Sequence, residues 1–329
     1  MIVDFQHHWT PRELFKEELG DRRILAYDET GAPSYTSHRL LYDLDEHIAM
    51  MDLAGIDAAF LTSGAGMGAD LERSRFINDK AKQAERDYPG RIIGAAHVHP
   101  LGGKDHLKEL ARCAEELGFP GVCITSEIDG KFIDDAAYEP FWQEAEKRGL
   151  FVFIHPALKL NFPQQFDSYD TARAVGREFS LIMATIRIVN SGLLDRHPGL
   201  LIHMAHLSGG IASMLARVRG FQDKEFWGTQ GNARHGALPR HNFDHYLRER
   251  ILFDTAGFCG GIGAVKAALL EIPASQIVFA SDYPQEMRTR EQVRDFVAAI
   301  KALGPEGQQI LGGNTAKLLK GRAKQAAVA

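Results

Sequence analysis

The sequence predicts an α/β fold of the (β/α)8 TIM-barrel class, on three observations. Short β-branched and apolar runs alternate with helical patterns along nearly the whole chain. Four of those runs end in side chains able to bind metal or exchange a proton. Ile2-Val3-Asp4-Phe5 leads into Gln6-His7-His8, and Phe151-Val152-Phe153-Ile154 into His155-Pro156. Leu200-Leu201-Ile202-His203-Met204-Ala205 leads into His206, and Ile277-Val278-Phe279-Ala280 into Ser281-Asp282. Finally, no glycine-rich phosphate loop follows the first run, where Gln6-His7-His8-Trp9 stands instead, so a doubly wound nucleotide-binding sheet is disfavoured. The parallel strands of a barrel open onto one face, so side chains at their C-terminal ends converge there.

The elements follow in order. Strand 1–5 precedes an irregular segment, 11–45, with turn chemistry in Asp28-Glu29-Thr30-Gly31-Ala32-Pro33. That length has no purpose as a plain connection, which predicts a lid or substrate-binding insertion. Helix 46–54 stops at Gly55, strand 58–62 follows, then helix 70–87 and strand 92–97. Helix 104–117 ends before Gly118, as a left-handed C-terminal glycine requires. Strand 121–125, helix 135–148, strand 151–154, helix 170–190, strand 200–205 and helix 210–219 lead to a polar, His-rich stretch at 220–245. Strand 251–254, helix 261–270, strand 276–280 and helix 289–302 complete eight units. Helix 306–319 packs outside them, and the tail 320–329 frays. With no linker or repeat, residues 1–329 read as one domain.

Composition narrows the function. The 329 residues are 45% hydrophobic, enough for a large core, and carry a net charge of -5 with mixed signs. There is no basic patch for nucleic acid and no apolar run of about 18 residues for a membrane span. No cationic stretch followed by an apolar one marks a signal peptide, and the three scattered cysteines suit a reducing cytoplasm better than a disulfide framework.

Several strings in order carry a resemblance. They are Asp4-Phe5-Gln6-His7-His8, Met51-Asp52-Leu53-Ala54-Gly55-Ile56-Asp57, Glu116-Leu117-Gly118-Phe119-Pro120-Gly121-Val122, His155-Pro156-Ala157, Ala205-His206-Leu207-Ser208-Gly209-Gly210, Asp254-Thr255-Ala256, Ser281-Asp282-Tyr283-Pro284 and Gly313-Asn314-Thr315-Ala316. Together they resemble the second amidohydrolase family, which includes aminocarboxymuconate semialdehyde decarboxylase and γ-resorcylate decarboxylase. The resemblance implies a divalent metal, Zn2+ first and Mn2+ second, held by the positions of Gln6, His8, His155 and Asp282. The family's usual Asp-x-His-x-His is here Asp4, Gln6 and His8, so a neutral amide replaces the first imidazole. His7 lies on the opposite side of a regular strand, able to reach the site only through a twist or bulge. His206 matches the family's acid/base histidine, and Asp282 ligates metal or shuttles a proton.

By the same resemblance, an arginine after the first strand holds the substrate carboxylate. Arg39 is the nearest candidate, with Trp9, Phe162 and Phe166 as an apolar and aromatic wall. His203, within its strand, reads as a packed core histidine. His97 and His99 read as polar contacts rather than ligands, and His235, His241 and His245 as solvated. The implied function is metal-dependent, non-oxidative decarboxylation of a small aromatic or unsaturated carboxylic acid in aromatic catabolism. The alternatives are a hydrolase of the same fold, acting on a lactone, ester or ring-cleavage product, and a degenerate barrel kept for binding. A homo-oligomer, most simply a dimer, is expected.

Overall fold

The computed structural model of the protein describes residues 1–27, 31, 33–236 and 239–319. Most of the turn expected at 28–33 and all of the tail expected to fray at 320–329 lie outside the described residues.

The backbone is built from parallel strands connected through helices. In chain order the strands are β1 (Val3–His8), β2 (Ile24–Tyr27), β3 (Pro33–Ser37), β4 (Ala58–Thr62), β5 (Ile92–Ile93), β6 (Ala96–His97), β7 (Gly121–Thr125), β8 (Glu127–Ile128), β9 (Lys131–Phe132), β10 (Phe151–His155), β11 (Leu201–Met204), β12 (Ile251–Asp254) and β13 (Ile277–Val278). One parallel sheet runs β1-β4-β5 and a second β6-β7-β10-β11-β12-β13. The two are hydrogen-bonded at one margin and joined by the chain at the other. β5 and β6 follow each other directly, and Phe5 N donates to Phe279 O at 3.0 Å while Asp282 N donates to Gln6 O at 3.0 Å. His8 N then donates to Tyr283 O at 2.7 Å, beside a parallel bridge between His7 and Tyr283. Phe5, Phe60, Phe151, Phe153 and Phe253 are buried along these strands, as expected where both faces are covered.

Local chemistry sets many boundaries. Asp43 and Asp70 accept from Glu46 N and Arg73 N at the starts of helices Leu44–Ala54 and Leu71–Asp87. Gly55 ends the first at φ 72°. Thr289 and Gln292 form a reciprocal capping box before Arg290–Lys301. Asn314 donates to Ala274 O and Ile277 O, both at 2.7 Å, pinning the last helical segment under β13.

The departures from expectation have physical causes. Segment 11–45 is not wholly irregular: β2 and β3 pair antiparallel within it. Expected strand 92–97 is interrupted at residues 94–95, where a Cβ on Gly94 would stand 2.1 Å from the Phe119 ring. Expected helix 210–219 begins as a left-handed turn instead, from His206 at φ 55° through Gly210 at φ 77°. Within the His-rich stretch a helix, Phe243–Glu249, forms under an Asn242 cap because Phe243, Tyr246 and Leu247 face the core. The last expected helix is broken by a wide π turn at Gln309–Gly313.

Candidate active site

The end of β1 supplies two groups only because the strand is bulged. Its pairing with β4 steps from Asp4 opposite Ala59 to His7 opposite Leu61, which inserts one extra residue. Phe5 therefore packs edge-on to Phe151 and His203, and yet Gln6 also turns inward. Gln6 Nε2 lies 2.9 Å from His206 Nε2 and donates to Asp282 Oδ1 at 3.1 Å. His8 Nε2 lies 2.6 Å from the same Asp282 oxygen. The bulge turns His7 outward rather than toward the site, with its Nδ1 2.9 Å from Asp4 Oδ2 and Nε2 3.0 Å from His47. Asp4 consequently faces away from Gln6 and His8. It accepts from Ser281 N at 2.9 Å and from the Ser281 hydroxyl, holding the residue just before Asp282.

Asp282 adopts the left-handed conformation, at φ 54°, and is buried. Burial alone works against its charge. His8, bonded to it, together with His206 and His155, holds the carboxyl below its ordinary range. His155 ends β10 with Nδ1 2.8 Å from Pro156 O, which fixes the ring and leaves Nε2 free. Its ring centre lies 5.2 Å from that of His8 and 6.2 Å from that of His206. Burial and the two neighbouring histidines push the His155 pKa well below the usual imidazole value, so the ring is neutral.

His206 starts the left-handed turn after β11. Asp254, fully buried at the end of β12, accepts from His206 N at 2.8 Å and Ala256 N at 3.1 Å, and its other oxygen lies 2.9 Å from His203 Nε2. His203 is thus a core histidine, as expected. A Cβ on Gly257 would come within 2.2 Å of the His206 ring, and one on Gly209 within 2.0 Å of Glu178 O. Both positions also have positive φ, so glycine serves the close approach and the turn together. Glu178 Oε1 lies 2.8 Å from His206 Nδ1. Burial opposes charging His206, but Glu178, its hydrogen bond and Asp282 outweigh it and raise the pKa to about 10. His206 Nε2 faces Gln6 and Asp282, where a proton on it would require the Gln6 amide to present its oxygen rather than its nitrogen.

These groups line one cavity of about 490 Å3. Its walls include Tyr35, Thr36 and His38 from the insertion, Leu158 after β10, Arg177 and Glu178 from helix Arg177–Asn190, and Gln285, Glu286 and Arg288 after β13. The structure brings together Gln6, His8, His155, His206 and Asp282, but not the expected substrate residues. Arg39 lies outside the cavity, bound to Asp43 at the start of the first long helix. Its neighbour His38 lines the cavity instead. Trp9 is buried among core side chains beneath it, and Phe162 is half exposed against Phe132 on another surface. His97 accepts from Ser63 N at 2.9 Å and His99 pairs with Asp129, neither reaching the site. Sequence reasoning missed Glu178, Arg177 and Gly257. The first two open the helix Arg177–Asn190, where nothing in the spacing distinguishes them from surface charges.

Among the described residues no three His, Cys, Asp or Glu side chains already stand in metal-holding geometry. The donor chemistry of the cluster nonetheless fits a divalent cation. The cluster offers a neutral imidazole, an ionised carboxylate and His8, and the buried Gln6 Oε1 has no hydrogen-bond partner among the described residues. The His8–Asp282 contact would have to open by an ångström or so to admit the ion.

A strand-end cluster of this composition is the signature of a metal-assisted enzyme class, and comparison with known proteins makes that specific. The amidohydrolase model matches residues 3–321, so the chain belongs to the amidohydrolase family. A γ-resorcylate decarboxylase from Rhizobium sp. (strain MTP-10005) is 30% identical over 268 residues, 76% of this chain and 79% of that protein. Among solved structures, 5-carboxyvanillate decarboxylase from Sphingomonas paucimobilis superposes with a TM-score of 0.78 at 21% identity, covering 97% of this chain and 99% of the other. The enzyme of that name from Novosphingobium aromaticivorans, solved with manganese and 4-hydroxy-3-methoxy-5-nitrobenzoic acid, gives 0.77 at 22% identity over 97% and 96%. The two structural likenesses concern the fold alone.

Proposed function

We propose that this protein is a metal-dependent, non-oxidative decarboxylase of a small aromatic or unsaturated carboxylic acid, a carbon–carbon lyase of the amidohydrolase superfamily. The observation that carries this reading is the placement of His206, whose pKa Glu178 raises. His206 is held by Glu178 at one nitrogen and faces the Gln6–Asp282 cluster with the other, inside the cavity. Removal of CO2 needs an acid to protonate carbon, a part that a histidine of raised pKa can take. The decarboxylase names of the relatives favour the same choice.

Gln6, His8, His155 and Asp282 would hold the metal, Zn2+ or, as in the manganese-bound Novosphingobium enzyme, Mn2+. When bound it would anchor the carboxylate and a neighbouring oxygen and so fix the carbon that bears the carboxylate in front of His206. His206 Nε2–H delivers its proton to the carbon bearing the carboxylate. The carbon–carbon bond then breaks, CO2 departs, and the bonding pair restores the unsaturated system. His206 regains its proton from solvent water, the proton that loss of CO2 consumes, with the ionised Asp282 3.7 Å away stabilising the charged ring. The apolar Leu158 and Pro156 flank the ring and exclude water.

The rest of the reading concerns the surroundings. The circuit of strands, joined by Phe5, Gln6 and His8 back to β13, supports a closed (β/α)8 barrel in one domain. The β2–β3 hairpin, whose Tyr35 and Thr36 reach the cavity, would act as its lid. Exposed Phe179, Met183, Phe226 and Trp227 support a homo-oligomer, a dimer in the simplest case. Cys113, Cys123 and Cys259 are all free, in keeping with a cytoplasmic setting, and no helix of the described residues is long and apolar enough to cross a membrane.

The test is CO2 release from a panel of hydroxybenzoic and unsaturated carboxylic acids by protein loaded with Mn2+ or Zn2+, set beside lactone and ester hydrolysis on the same samples. Hydrolysis without CO2 release would reverse the assignment.

A further inference from the structure

A second cavity, of about 440 Å3, adjoins the active site. Thr125, which ends β7, and Leu158, just after β10, both line it, so it lies at the same end of the strands. Leu158 also lines the active-site cavity and is the boundary between the two. Met67, Ile128, Leu160 and Pro163 give the second cavity apolar walls. Glu127, the first residue of β8, lines it as well and is only 5% exposed. Its carboxylate accepts from Asn161 N at 3.2 Å and from no other donor among the described residues. The side-chain nitrogen of Asn161, in the same lining, is buried without a partner.

The surroundings do not account for an acid there. Burial raises the Glu127 carboxyl above its ordinary range, and the bond from Asn161 N and the charge of Arg187 offset that only in part. Arg187 is engaged elsewhere: its Nε donates to Asp134 at 2.5 Å, and its guanidinium lies 4.2 Å from the centre of the Phe132 ring. At the rim Asp129 and Lys159 carry opposite charges, and Asp129 lies 3.0 Å from His99. A carboxylate has about four acceptor sites, and burying one with a single site filled is costly. Glutamine would accept the same backbone bond without that cost. One carboxylate among apolar walls offers too few oxygens for a metal ion, and an anion would be repelled. An organic ammonium suits both features, with three donors for the carboxylate and an apolar body for the walls.

We propose that this second cavity binds a small organic cation, a primary ammonium on an apolar or aromatic body, through the buried Glu127 carboxylate. The Asn161 side-chain nitrogen supplies a donor for a neighbouring hydroxyl or carbonyl of the same ligand. The site goes beyond the decarboxylase reading and does not depend on it. The ammonium belongs either to a separate ligand or to an amino substituent of a substrate that reaches past Leu158, and its recognition at Glu127 is the same in both cases.

The experiment compares benzylamine with its neutral counterpart, benzyl alcohol, by calorimetry on the metal-loaded protein, in wild type, Glu127→Gln and Ile128→Trp. Benzylamine should bind wild type about 10-fold more tightly than benzyl alcohol, an advantage that salt weakens. Glu127→Gln should remove the advantage and leave benzyl alcohol affinity unchanged. Ile128→Trp, which fills the cavity and keeps the carboxylate, should weaken both ligands. Because glutamine still accepts from Asn161 N, the unliganded Glu127→Gln protein should unfold at the same temperature as wild type or higher. A lower Tm would assign Glu127 to the fold and overturn the proposal. So would an amine preference that is absent in wild type, or one retained in Glu127→Gln or Ile128→Trp. Repeating the wild-type titration with saturating 2,6-dihydroxybenzoate identifies the source of the ammonium. Unchanged benzylamine affinity supports a separate ligand, and competition supports an amino substituent on the substrate.

Discussion

The floor and the wall of this cavity are built by different means. The floor groups, Gln6, His8, His155, His206 and Asp282, stand at or just beyond strand ends and are buried. Each is placed by the backbone of its own strand, and neighbouring strands set the distances between them. The wall groups Tyr35, His38, Arg177, Glu178 and Arg288 come from a hairpin, a helix and a loop. Their positions depend on how those elements lean over the strand ends. Chemistry sits on the element type that varies least, and recognition on the type that varies most. Glu178 crosses that division, since it belongs to the wall but raises the pKa of His206.

The largest effect should come from breaking the floor. His206→Asn should keep the fold and metal content but lower kcat by about 10²-fold or more, the usual worth of a positioned acid. Turnover near that of the wild type, in a steady-state assay, would move proton delivery to Asp282. Next comes the contact that joins floor to wall. Gly209→Ala would drive a Cβ to within 2.0 Å of Glu178 O at a position with φ 65°. A loss of about 2–4 kcal/mol in thermal or urea unfolding is expected, with activity falling alongside. Wild-type stability would show that the turn relaxes independently of Glu178.

Substituting Glu178 itself tests the crossing more finely. Glu178→Gln should reduce kcat by roughly 10-fold with little change in KM, and Glu178→Asp should recover part of it. A change in KM alone would assign Glu178 to substrate binding. Gln6→His should raise affinity for Zn2+, by about 10-fold, as measured by competition with a chromogenic chelator. Unchanged affinity would mean that Gln6 hydrogen-bonds substrate instead. The smallest effect is expected at Arg39, which is wholly outside the cavity. Arg39→Ala should alter KM less than about twofold and stability by no more than about 0.5 kcal/mol. A large rise in KM would return Arg39 to the wall through a rearranged insertion.

The sequence by itself determined the order of strands and helices, the side chains at their ends, and the replacement of a ligating histidine by Gln6. Those features are local. An apolar run followed by a polar residue reads as a strand end, and Gly55 and Thr289 mark helix ends through their own backbone and capping chemistry. Tertiary structure alone decided the rest. Period-two alternation places Asp4, Gln6 and His8 on one side, but the bulge sends Asp4 with His7 to Ser281 and keeps Gln6 inward beside Phe5. Nothing in the string Ser37-His38-Arg39 shows which residue faces the cavity, and packing of the insertion chose His38. Glu178 lies 28 positions from His206, and a Phe243–Glu249 helix formed within a polar stretch. In each case the deciding contact is with an element distant in sequence, whose approach no local pattern encodes.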